Sequence, residues 1–368
     1  MRVLMLNYEF PPLGGGAANA NKHILEELTD VEDLKIDLIT SSKDRYTEEE
    51  FSEDITLYRL DVKKGQIHHW TQSEILRYFF KGLIKSRQLR KEKDYDIIHA
   101  WFGFPSGLMA LILNQPYVVS LRGSDVPGYN ERFSIQYVFL KPIIKRVWKN
   151  AESVVANSKG LKELAKKTLD PGIEINTNGV NIEKFQPRDI ERDDSDGLDL
   201  ICVARLTKRK RVSDILKAIQ NLEYVNLTLI GEGKEEQNLK ELAKDLGIDD
   251  QVNFKGYVSH EEIADFYSNS DLFVMPSLNE GMSNTILEAM SSGLPIITTQ
   301  TGGTAELIKN NGVVVPKKDP EAIKDAIISY REDSEKIKSH SEKSREIAEN
   351  FTWKQASLEY YEIFQKLT

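Results

Sequence analysis

Short apolar runs recur along the chain and alternate with segments that have the spacing of amphipathic helices. The runs are rich in Val, Ile and Leu and end at turn-forming residues, which is typical of strands in a parallel sheet. The predicted strands are Val3–Tyr8, Lys35–Thr40, Ile55–Leu60, Ile97–Ala100, Tyr117–Leu121, Val154–Asn157, Leu198–Ala204, Val225–Ile230, Val252–Tyr257, Leu272–Met275, Ile296–Thr299 and Val313–Pro316. Repeated strand–helix units in both halves predict an α/β protein with two doubly wound, Rossmann-like domains that face a central cleft.

The stretch 271–308 carries the clearest candidate site. The loop Pro276–Gly281 follows a strand, and Ser283 or Asn284 can cap the helix that runs through Thr285–Met290. The backbone N–H groups at a helix start and the positive end of the helix dipole favour an anion there. Gly281 allows a close backbone approach. We therefore expect an anionic group to bind at the amides of 282–284.

Two glutamates, Glu280 and Glu288, flank this helix start. Carboxylates repel phosphate, so beside a bound phosphate they would bind hydroxyl groups. A nucleotide-diphosphate sugar supplies both kinds of group. Alternatively, Glu280 favours the helix dipole and Glu288 is a solvated helix residue, and for either glutamate alone that simpler interpretation is the more common one.

Cations lie at the expected carboxyl edge of the second sheet. Arg205 follows the strand Leu198–Ala204, and Lys210 comes five residues later at a helix start. Solvation is the simpler interpretation, and we adopt it for Lys208, Arg209 and Arg211.

Two loops in the first half are further candidates. Gly14, Gly15 and Gly16 precede a helix but do not form a standard phosphate-binding motif, and a plain turn also explains them. Arg122 and Asp125 follow the strand Tyr117–Leu121, and an internal pair between them is the simpler interpretation.

His99 is expected to be packed or hydrogen-bonded. Tyr46–Asp54 is expected to be a polar loop.

Composition gives broad limits. The 368 residues allow two domains, and 40% hydrophobic with 29% charged residues is ordinary for a globular protein. The single cysteine, Cys202, excludes an internal disulfide and is expected to be buried. The sequence shows no signal peptide and no apolar run of about 20 residues, so we expect a cytoplasmic location.

The net charge of −9 is unevenly distributed, because residues 76–149 carry 13 Lys and Arg against 5 Asp and Glu. A helix predicted at Ser73–Lys93 places Arg77, Lys81 and Lys85 in one stripe. Its apolar side is predicted to hold Ile75, Phe79, Leu83 and Ile84. A second basic segment, Lys141–Lys149, follows. The region is either a solvated face or a surface that binds an anionic membrane; no nucleic-acid partner is expected.

The motif E-G-M-S-N-T-I-L-E and the following T-G-G-T-A-E-L-I resemble the Glu–seven–Glu region of retaining nucleotide-sugar glycosyltransferases, family 4, group 1. The segment N-Y-E-F-P-P-L-G-G-G-A is similar to the start of many members. The resemblance implies the GT-B fold, with a linker at 187–197 between domains at 1–186 and 198–345. It also implies a final helix, within 346–368, that crosses back to the first domain.

The resemblance assigns roles to the donor-side residues. Glu280 would meet the donor sugar and Glu288 the ribose. Arg205, Lys210 and the amides of Met282, Ser283 and Asn284 would hold the diphosphate. The backbone at Tyr257 and Val258 would hold the base, and the loop of Gly15 and Gly16 would face the diphosphate and the acceptor.

Departures from the family pattern concern the acceptor side and one turn. Many members have a histidine implicated in catalysis where this chain has Arg122, and arginine is no general base. Arg122 could still contact a phosphate or a leaving group. Asp125 matches the family's aspartate and would bind a hydroxyl. Arg211 replaces a glycine that is usual in the family.

The resulting hypothesis is metal-independent, retaining transfer from a nucleotide-diphosphate sugar, with no further cofactor. The acceptor would be a sugar, a lipid-linked molecule or a cell-surface glycan precursor, and the enzyme would be cytoplasmic or peripheral on the inner face of the membrane. Two alternatives stay open: an epimerase or hydrolase on the same scaffold, and a catalytically silent nucleotide-sugar-binding protein.

Overall fold

The computed structural model describes residues 1–67, 70–129, 134–187 and 197–368. The chain forms two compact units. Unit one consists of Met1–Asn178 with Trp353–Thr368, and unit two is Gly179–Thr352. The chain therefore passes between units at 178/179 and 352/353, somewhat before 187–197 and after 345/346, where the sequence placed the boundaries. Most of the predicted linker, 188–196, lies outside the described residues.

Unit one is built on a sheet of eight strands among its described residues, in the order β3-β4-β2-β1-β5-β6-β7-β8. All pairs are parallel except β3 with β4. The strands are β1 Arg2–Leu6, β2 Lys35–Ser42, β3 Thr47–Ser52, β4 Ile55–Asp61, β5 Ile97–Trp101, β6 Tyr117–Leu121, β7 Ser153–Ala156 and β8 Glu174–Ile175. The helices that precede unit two are α1 Gly16–Leu28, α2 Gln72–Glu92, α3 Leu108–Leu113, α4 Ser134–Asn150 and α5 Lys159–Lys166.

One element of unit one contradicts the sequence prediction. Strand β3 occupies the segment that was expected to be a polar loop at Tyr46–Asp54. It is an edge strand, and Glu48, Glu49 and Glu50 are all exposed. Phe51 is partly buried against the core, but no residue of this strand is fully buried. Because the three glutamates in a row all face solvent, the sequence lacks the alternation of apolar and polar residues that marks a half-buried strand.

Unit two contains a parallel sheet of six strands among its described residues, in the order β11-β10-β9-β12-β13-β14. The strands are β9 Leu198–Val203, β10 Val225–Ile230, β11 Val252–Gly256, β12 Leu272–Met275, β13 Ile296–Thr299 and β14 Gly312–Val315. The helices are α6 Val212–Ile219, α7 Glu236–Asp245, α8 Ile263–Ser268, α9 Asn284–Ser291, α10 Thr304–Leu307, α11 Pro320–Arg331 and α12 Ser334–Ala348. Alternate residues of β9 enter two separate cores: Leu200 and Cys202 face one, and Ile201 and Val203 face the other. The sheet is thus covered on both faces.

The C-terminal helix, α13 Trp353–Leu367, returns to unit one. It packs against α1, where Trp353 stacks on His23 with ring centroids 5.1 Å apart. It covers the face of the sheet opposite to α4. Ser120 of β6 bonds Tyr360 of α13, whereas the preceding Val119 faces the Gly107–Val147 contact on the α4 side.

Helix α2 exposes an apolar row that the sequence analysis did not identify. Leu76, Phe80 and Ile84 follow each other at four-residue spacing and are 49%, 60% and 67% exposed. The prediction that Ile84 lies on the buried side of α2 is wrong. The predicted basic stripe has partners within unit one: Arg77 donates to the Val62 carbonyl, Lys81 donates to the Asp61 carbonyl, and Lys85 lies over the Tyr58 ring.

Candidate active site

The loop between β12 and α9 is fixed by its own backbone and by the next loop. Ser283 is the N-cap of α9, and its hydroxyl accepts from Ile286 N. The Glu280 carbonyl accepts from Gly302 N at 2.8 Å. Gly303 packs so closely that a Cβ there would lie 2.6 Å from the Gly281 carbonyl. The two glycines of T-G-G-T therefore hold the Glu280 loop against the start of α9.

Lys210 and Glu280 form a buried ion pair beside this helix start. The Lys210 Nζ lies 2.8 Å from Glu280 Oε1, and the two side chains are 11% and 12% exposed. The same Nζ lies 3.8 Å from the sulfur of Met275, at the carboxyl end of β12. Burial alone would raise the pKa of Glu280, but the positive charges of Lys210 and Arg209 outweigh it, and the pKa is lowered. Glu280 therefore stays ionised at neutral pH.

Arg209 belongs to the site, and its assignment to a solvated surface is wrong. Its guanidinium donates to the Asn279 carbonyl at 2.8 Å, and its own carbonyl accepts from Leu278 N at 2.9 Å. These bonds tie the segment before α6 to the loop before α9. Arg209 thereby helps to place Lys210 against Glu280. A lone arginine in a basic run gives no sequence signal for such a role.

Arg211 is not a solvated surface residue either, and that prediction is also wrong. Arg211 adopts left-handed backbone angles, with φ +55°, a region in which glycine carries no steric cost. Its guanidinium bonds both oxygens of Asp214, which is fully buried. A bidentate charge-assisted pair of this kind offsets part of the backbone strain.

Arg205 lies at the carboxyl edge of the sheet and is exposed. Two glycines after β10 allow the backbone to pack closely around it. A Cβ at Gly231 would lie 2.1 Å from the Ala204 carbonyl, and a Cβ at Gly233 would lie 2.1 Å from the Leu206 carbonyl. The backbone on both sides of Arg205 therefore packs closely against the loop that follows β10.

Tyr257 and Val258, the predicted base-binding residues, directly follow β11 at the same edge of the sheet. Tyr257 is 70% exposed, so its ring is presented to solvent, and Val258 is half-buried.

Glu288 on α9 is held by side chains that the sequence analysis missed. The hydroxyl of Tyr267, a fully buried residue of α8, donates to Glu288 Oε2 at 2.8 Å. His260 Nε2 lies 3.7 Å from Glu288 Oε1, and Lys184 Nζ lies 2.8 Å from His260 Nδ1. The ring of Phe185 packs edge-on against both Tyr267 and His260. Only Glu288 of this group belongs to a motif.

In unit one, Asp125 bonds backbone groups and not the guanidinium of Arg122. Its carboxylate accepts from the backbone N–H groups of Gly103 at 2.8 Å, Arg122 at 2.9 Å and Gly123 at 3.0 Å. Burial raises the pKa of Asp125, and the bonds from these backbone groups oppose that shift. The simpler interpretation of an Arg122–Asp125 side-chain pair is therefore wrong. Asp125 shapes the turn that carries Arg122.

The guanidinium of Arg122 is part of a buried polar network. It donates to Asn178 Oδ1 and to Tyr360 Oη, both at 2.9 Å, and lies 3.8 Å from the centre of the Trp101 ring. The Tyr360 hydroxyl also bonds Ser120, whose hydroxyl lies 2.7 Å from His99 Nε2. Burial and the charge of Arg122 hold the pKa of His99 well below its usual range. His99 is packed and hydrogen-bonded, as the sequence predicted.

The glycine loop before α1 combines a tight turn with an open position. Gly14 has φ +104°, and a Cβ there would contact Glu9 and Ala18 at under 3 Å. Gly15 is the N-cap of α1. A Cβ at Gly16 would meet nothing within 4 Å, and Gly16 is exposed. The loop is thus constrained at Gly14 and open at Gly16.

The predicted site residues lie together in two groups, one within each unit. Unit two brings together Lys210, Glu280, Gly281 and the start of α9, with Glu288 farther along the same helix. Unit one brings together Arg122 and Asp125. Among the described residues, no group of three or more His, Cys, Asp or Glu side chains could hold a metal ion. None of the described helices is long and apolar enough to cross a bilayer.

Comparisons with known proteins agree with this architecture. The model of "Glycosyl transferases group 1" matches residues 183–347, and the model of "Glycosyltransferase Family 4" matches residues 14–184. The lipopolysaccharide core biosynthesis glycosyltransferase LpsE of Rhizobium meliloti is 27% identical over 66% of this chain and 68% of its own.

Two solved structures share the fold. Sucrose-phosphate synthase from Thermosynechococcus elongatus superposes with a TM-score of 0.86 at 20% identity, over 100% of this chain and 99% of its own. Anabaena HepE, in complex with UDP-glucose, superposes with a TM-score of 0.74 at 17% identity, over 100% of both chains. At these identities the two structures establish the fold alone.

Two Rossmann-like units are the architecture of the GT-B fold, which both solved structures share. The two family models together cover residues 14–347. The chain belongs to the group 1 glycosyltransferases of family 4.

Proposed function

We propose that this enzyme transfers a sugar from a nucleotide-diphosphate sugar to a hydroxyl acceptor, with retention of the anomeric configuration and without a metal ion. The observation that carries the proposal is the Lys210–Glu280 ion pair at the start of α9. It places a buried cation and an ionised carboxylate side by side. A diphosphate needs the cation, and a sugar hydroxyl needs the carboxylate.

In this mechanism the bond between the anomeric carbon and the β-phosphate oxygen breaks, and the acceptor oxygen forms its bond to the same carbon on the same face. The acceptor's proton passes to the departing phosphate oxygen. Negative charge develops on that phosphate, and Arg205, Lys210 and the start of α9 stabilise it as it forms. Glu280 orients the sugar, and Glu288 binds the ribose.

The donor test uses UDP-, GDP- and ADP-sugars with a panel of lipid and sugar acceptors, and follows the anomeric proton of the product by NMR. Transfer with retained configuration supports the proposal, and an inverted product contradicts it. A product formed from donor alone would indicate the epimerase or hydrolase alternative. Donor binding without turnover would indicate the silent binding protein.

For the acceptor, we favour a molecule at an anionic membrane surface, with the enzyme cytoplasmic and peripheral. The observation is a set of exposed apolar side chains on unit one. Besides the apolar row of α2, it includes Val138 and Phe139 of α4 and Ile112 of α3. Helix α3 contacts both α2 and α4. Exposed basic residues flank these side chains: Arg87, Lys91, Lys141, Lys145 and Arg146. Apolar groups that insert, framed by cations that attract anionic lipid, are typical of interfacial helices.

Replacing both Phe80 and Ile84 with serine is expected to weaken binding to vesicles of anionic lipid by roughly 100-fold or more, because each buried side chain contributes about 1.5–3 kcal/mol. Vesicle co-sedimentation at low salt measures it. The matched control is Leu358→Ser, an equally apolar exposed residue on α13, across the sheet. Equal binding by the double variant and the control, or no binding by the wild type, would contradict the membrane surface.

A further inference from the structure

The side chains around Glu288 extend the candidate donor site beyond the glutamate itself. Two side chains approach its carboxylate, His260 before α8 and Tyr267 within α8. A third, Lys184 near the start of unit two, contacts the other ring nitrogen of His260. None of the three belongs to a motif. Tyr267 is fully buried, but His260 is 39% exposed, so a ligand can reach its ring.

Hydrogen-bond chemistry fixes the tautomer of His260. A lysine ammonium can only donate, so the ring nitrogen 2.8 Å from Lys184 Nζ, which is Nδ1, must accept. A neutral imidazole carries its proton on the other nitrogen. Nε2 therefore bears the hydrogen, and this is the nitrogen that lies toward Glu288. The edge-on contact with Phe185, 5.7 Å between centroids, further restricts the ring.

Glu288 is oriented in a complementary way. Tyr267 donates to Oε2, which leaves Oε1 as the oxygen on the side of His260. Burial, together with the neighbouring charge of Glu288, holds the pKa of Tyr267 well above its usual range, so the phenol keeps the proton that it donates. A hydrogen-bond donor and an acceptor thus stand 3.7 Å apart, which is too long for a direct hydrogen bond.

We propose that His260 is a donor-contact residue that brackets one ribose hydroxyl of the nucleotide together with Glu288. A hydroxyl oxygen about 2.8 Å from each atom fits over the 3.7 Å gap. It accepts from His260 Nε2–H and donates to Glu288 Oε1. The pair therefore selects a hydroxyl, which both accepts and donates, over a hydrogen or a methoxy group. Lys184 is a positioning residue, because it acts by holding the ring in this tautomer.

This inference rests on the proposed function, since it takes Glu288 as the ribose-binding residue. It goes further by assigning the discrimination between ribose and deoxyribose to a pair of side chains. Loss of His260 should remove one hydrogen bond to the nucleotide, and it should do so only when the bracketed hydroxyl is present.

The test is calorimetric binding of UDP, GDP and ADP, then of the 2′-deoxy and 3′-deoxy forms of the one that binds best. In the wild type, one of the two deoxy forms is expected to bind at least tenfold more weakly, as for the loss of one or two hydrogen bonds to polar or charged groups. In His260→Leu this ratio of ribo to deoxy affinity should fall by about tenfold. His260→Gln, whose amide can donate from a similar place, should keep most of the ratio.

Lys184→Met is expected to lower the ratio less than His260→Leu, because the ring stays but is free to change tautomer. The matched control is His340→Leu on α12, where Nδ1 also has a hydrogen-bond partner, the hydroxyl of Tyr330. That variant should keep the wild-type ratio. If His260 contacts the hydroxyl, the effect of the substitution on affinity should depend on whether the nucleotide carries that hydroxyl. A substitution that only damages the structure would weaken the ribo and deoxy forms equally.

Two failures are distinguishable. If the wild type binds a nucleoside diphosphate and His260→Leu keeps the wild-type ratio of ribo to deoxy affinity, His260 makes no hydroxyl contact and the inference is overturned by itself. If the wild type binds none of the three diphosphates or their sugars, the donor function and this inference both fall.

Discussion

Replacing Lys210 with alanine should abolish most transfer activity and also destabilise unit two. Removing a cation from the developing phosphate charge should lower kcat by roughly 10²–10³-fold. Glu280 would be left buried without its partner, at a cost of about 3 kcal/mol in the free energy of unfolding. Activity with saturating donor and chemical denaturation measure the two effects.

The dependence of stability on acidic pH gives a second readout of the Lys210–Glu280 pair. The pKa of Glu280 is lowered in the folded protein, so the pair's stabilisation is fully present above the ordinary value of 4.5 and is lost as the pH falls through the lowered pKa. Below pH 4.5, wild-type stability should therefore fall more steeply with acid than that of Lys210→Ala.

Controls separate chemistry from folding. Lys217→Ala removes an exposed lysine of α6 and should change neither activity nor stability. The double variant Lys210→Met with Glu280→Gln replaces the pair by uncharged side chains of similar size, so it should recover much of the lost stability and stay inactive. A Lys210→Ala enzyme with wild-type activity would show that this lysine does not carry the phosphate charge.

Arg122→Ala should strongly destabilise unit one. It removes the donor to Asn178 and Tyr360 and opens a void beside Trp101, which together should cost roughly 2–5 kcal/mol in the free energy of unfolding. The loss should appear in a thermal melt as a lower Tm and as earlier proteolysis of α13. Tyr360→Phe removes only the hydroxyl and should cost about 1–2 kcal/mol.

Arg87→Ala is the matched control, since Arg87 is exposed on α2 and its loss should leave the melting temperature unchanged. The outcome also bears on the role of Arg122. If Arg122→Ala and Tyr360→Phe both lower stability and Tyr360→Phe keeps full transfer activity, the network anchors α13 and catalysis does not depend on its exact geometry. An Arg122→Ala protein as stable as the wild type would contradict the network.

The core strands could be predicted because parallel strands covered on both faces are apolar throughout. Every strand that ends near the candidate site, such as β9 and β12, was located from its apolar run. Strand β3 was missed because its glutamates face solvent on both sides. The exposed row of α2 was missed for the opposite reason: Leu76, Phe80 and Ile84 have core-like chemistry and yet lie at the surface.

The residues of the candidate site likewise fall into those that the sequence identified and those that it missed. Glu280, Lys210 and Glu288 were found because motif spacing marks them. Arg209, Tyr267 and His260 were missed because their roles depend on which loops meet in space, and no local pattern encodes a bond from Arg209 to the Asn279 carbonyl. Asp125 was also singled out from the sequence, but its contacts are with backbone N–H groups, which a sequence pattern does not specify.

The central claim is that the Lys210–Glu280 region binds a nucleotide-diphosphate sugar, and a thermal shift tests it most directly. The wild type and the Lys210→Met/Glu280→Gln variant are melted with UDP-, GDP- and ADP-sugars and with the free diphosphates, without metal and then with magnesium. The account predicts that the nucleotides of one base raise the wild-type Tm without metal, because a ligand that binds the folded state stabilises it. The variant should show no such rise in Tm. No shift in the wild type with any donor, or an equal shift in both proteins, would contradict the account.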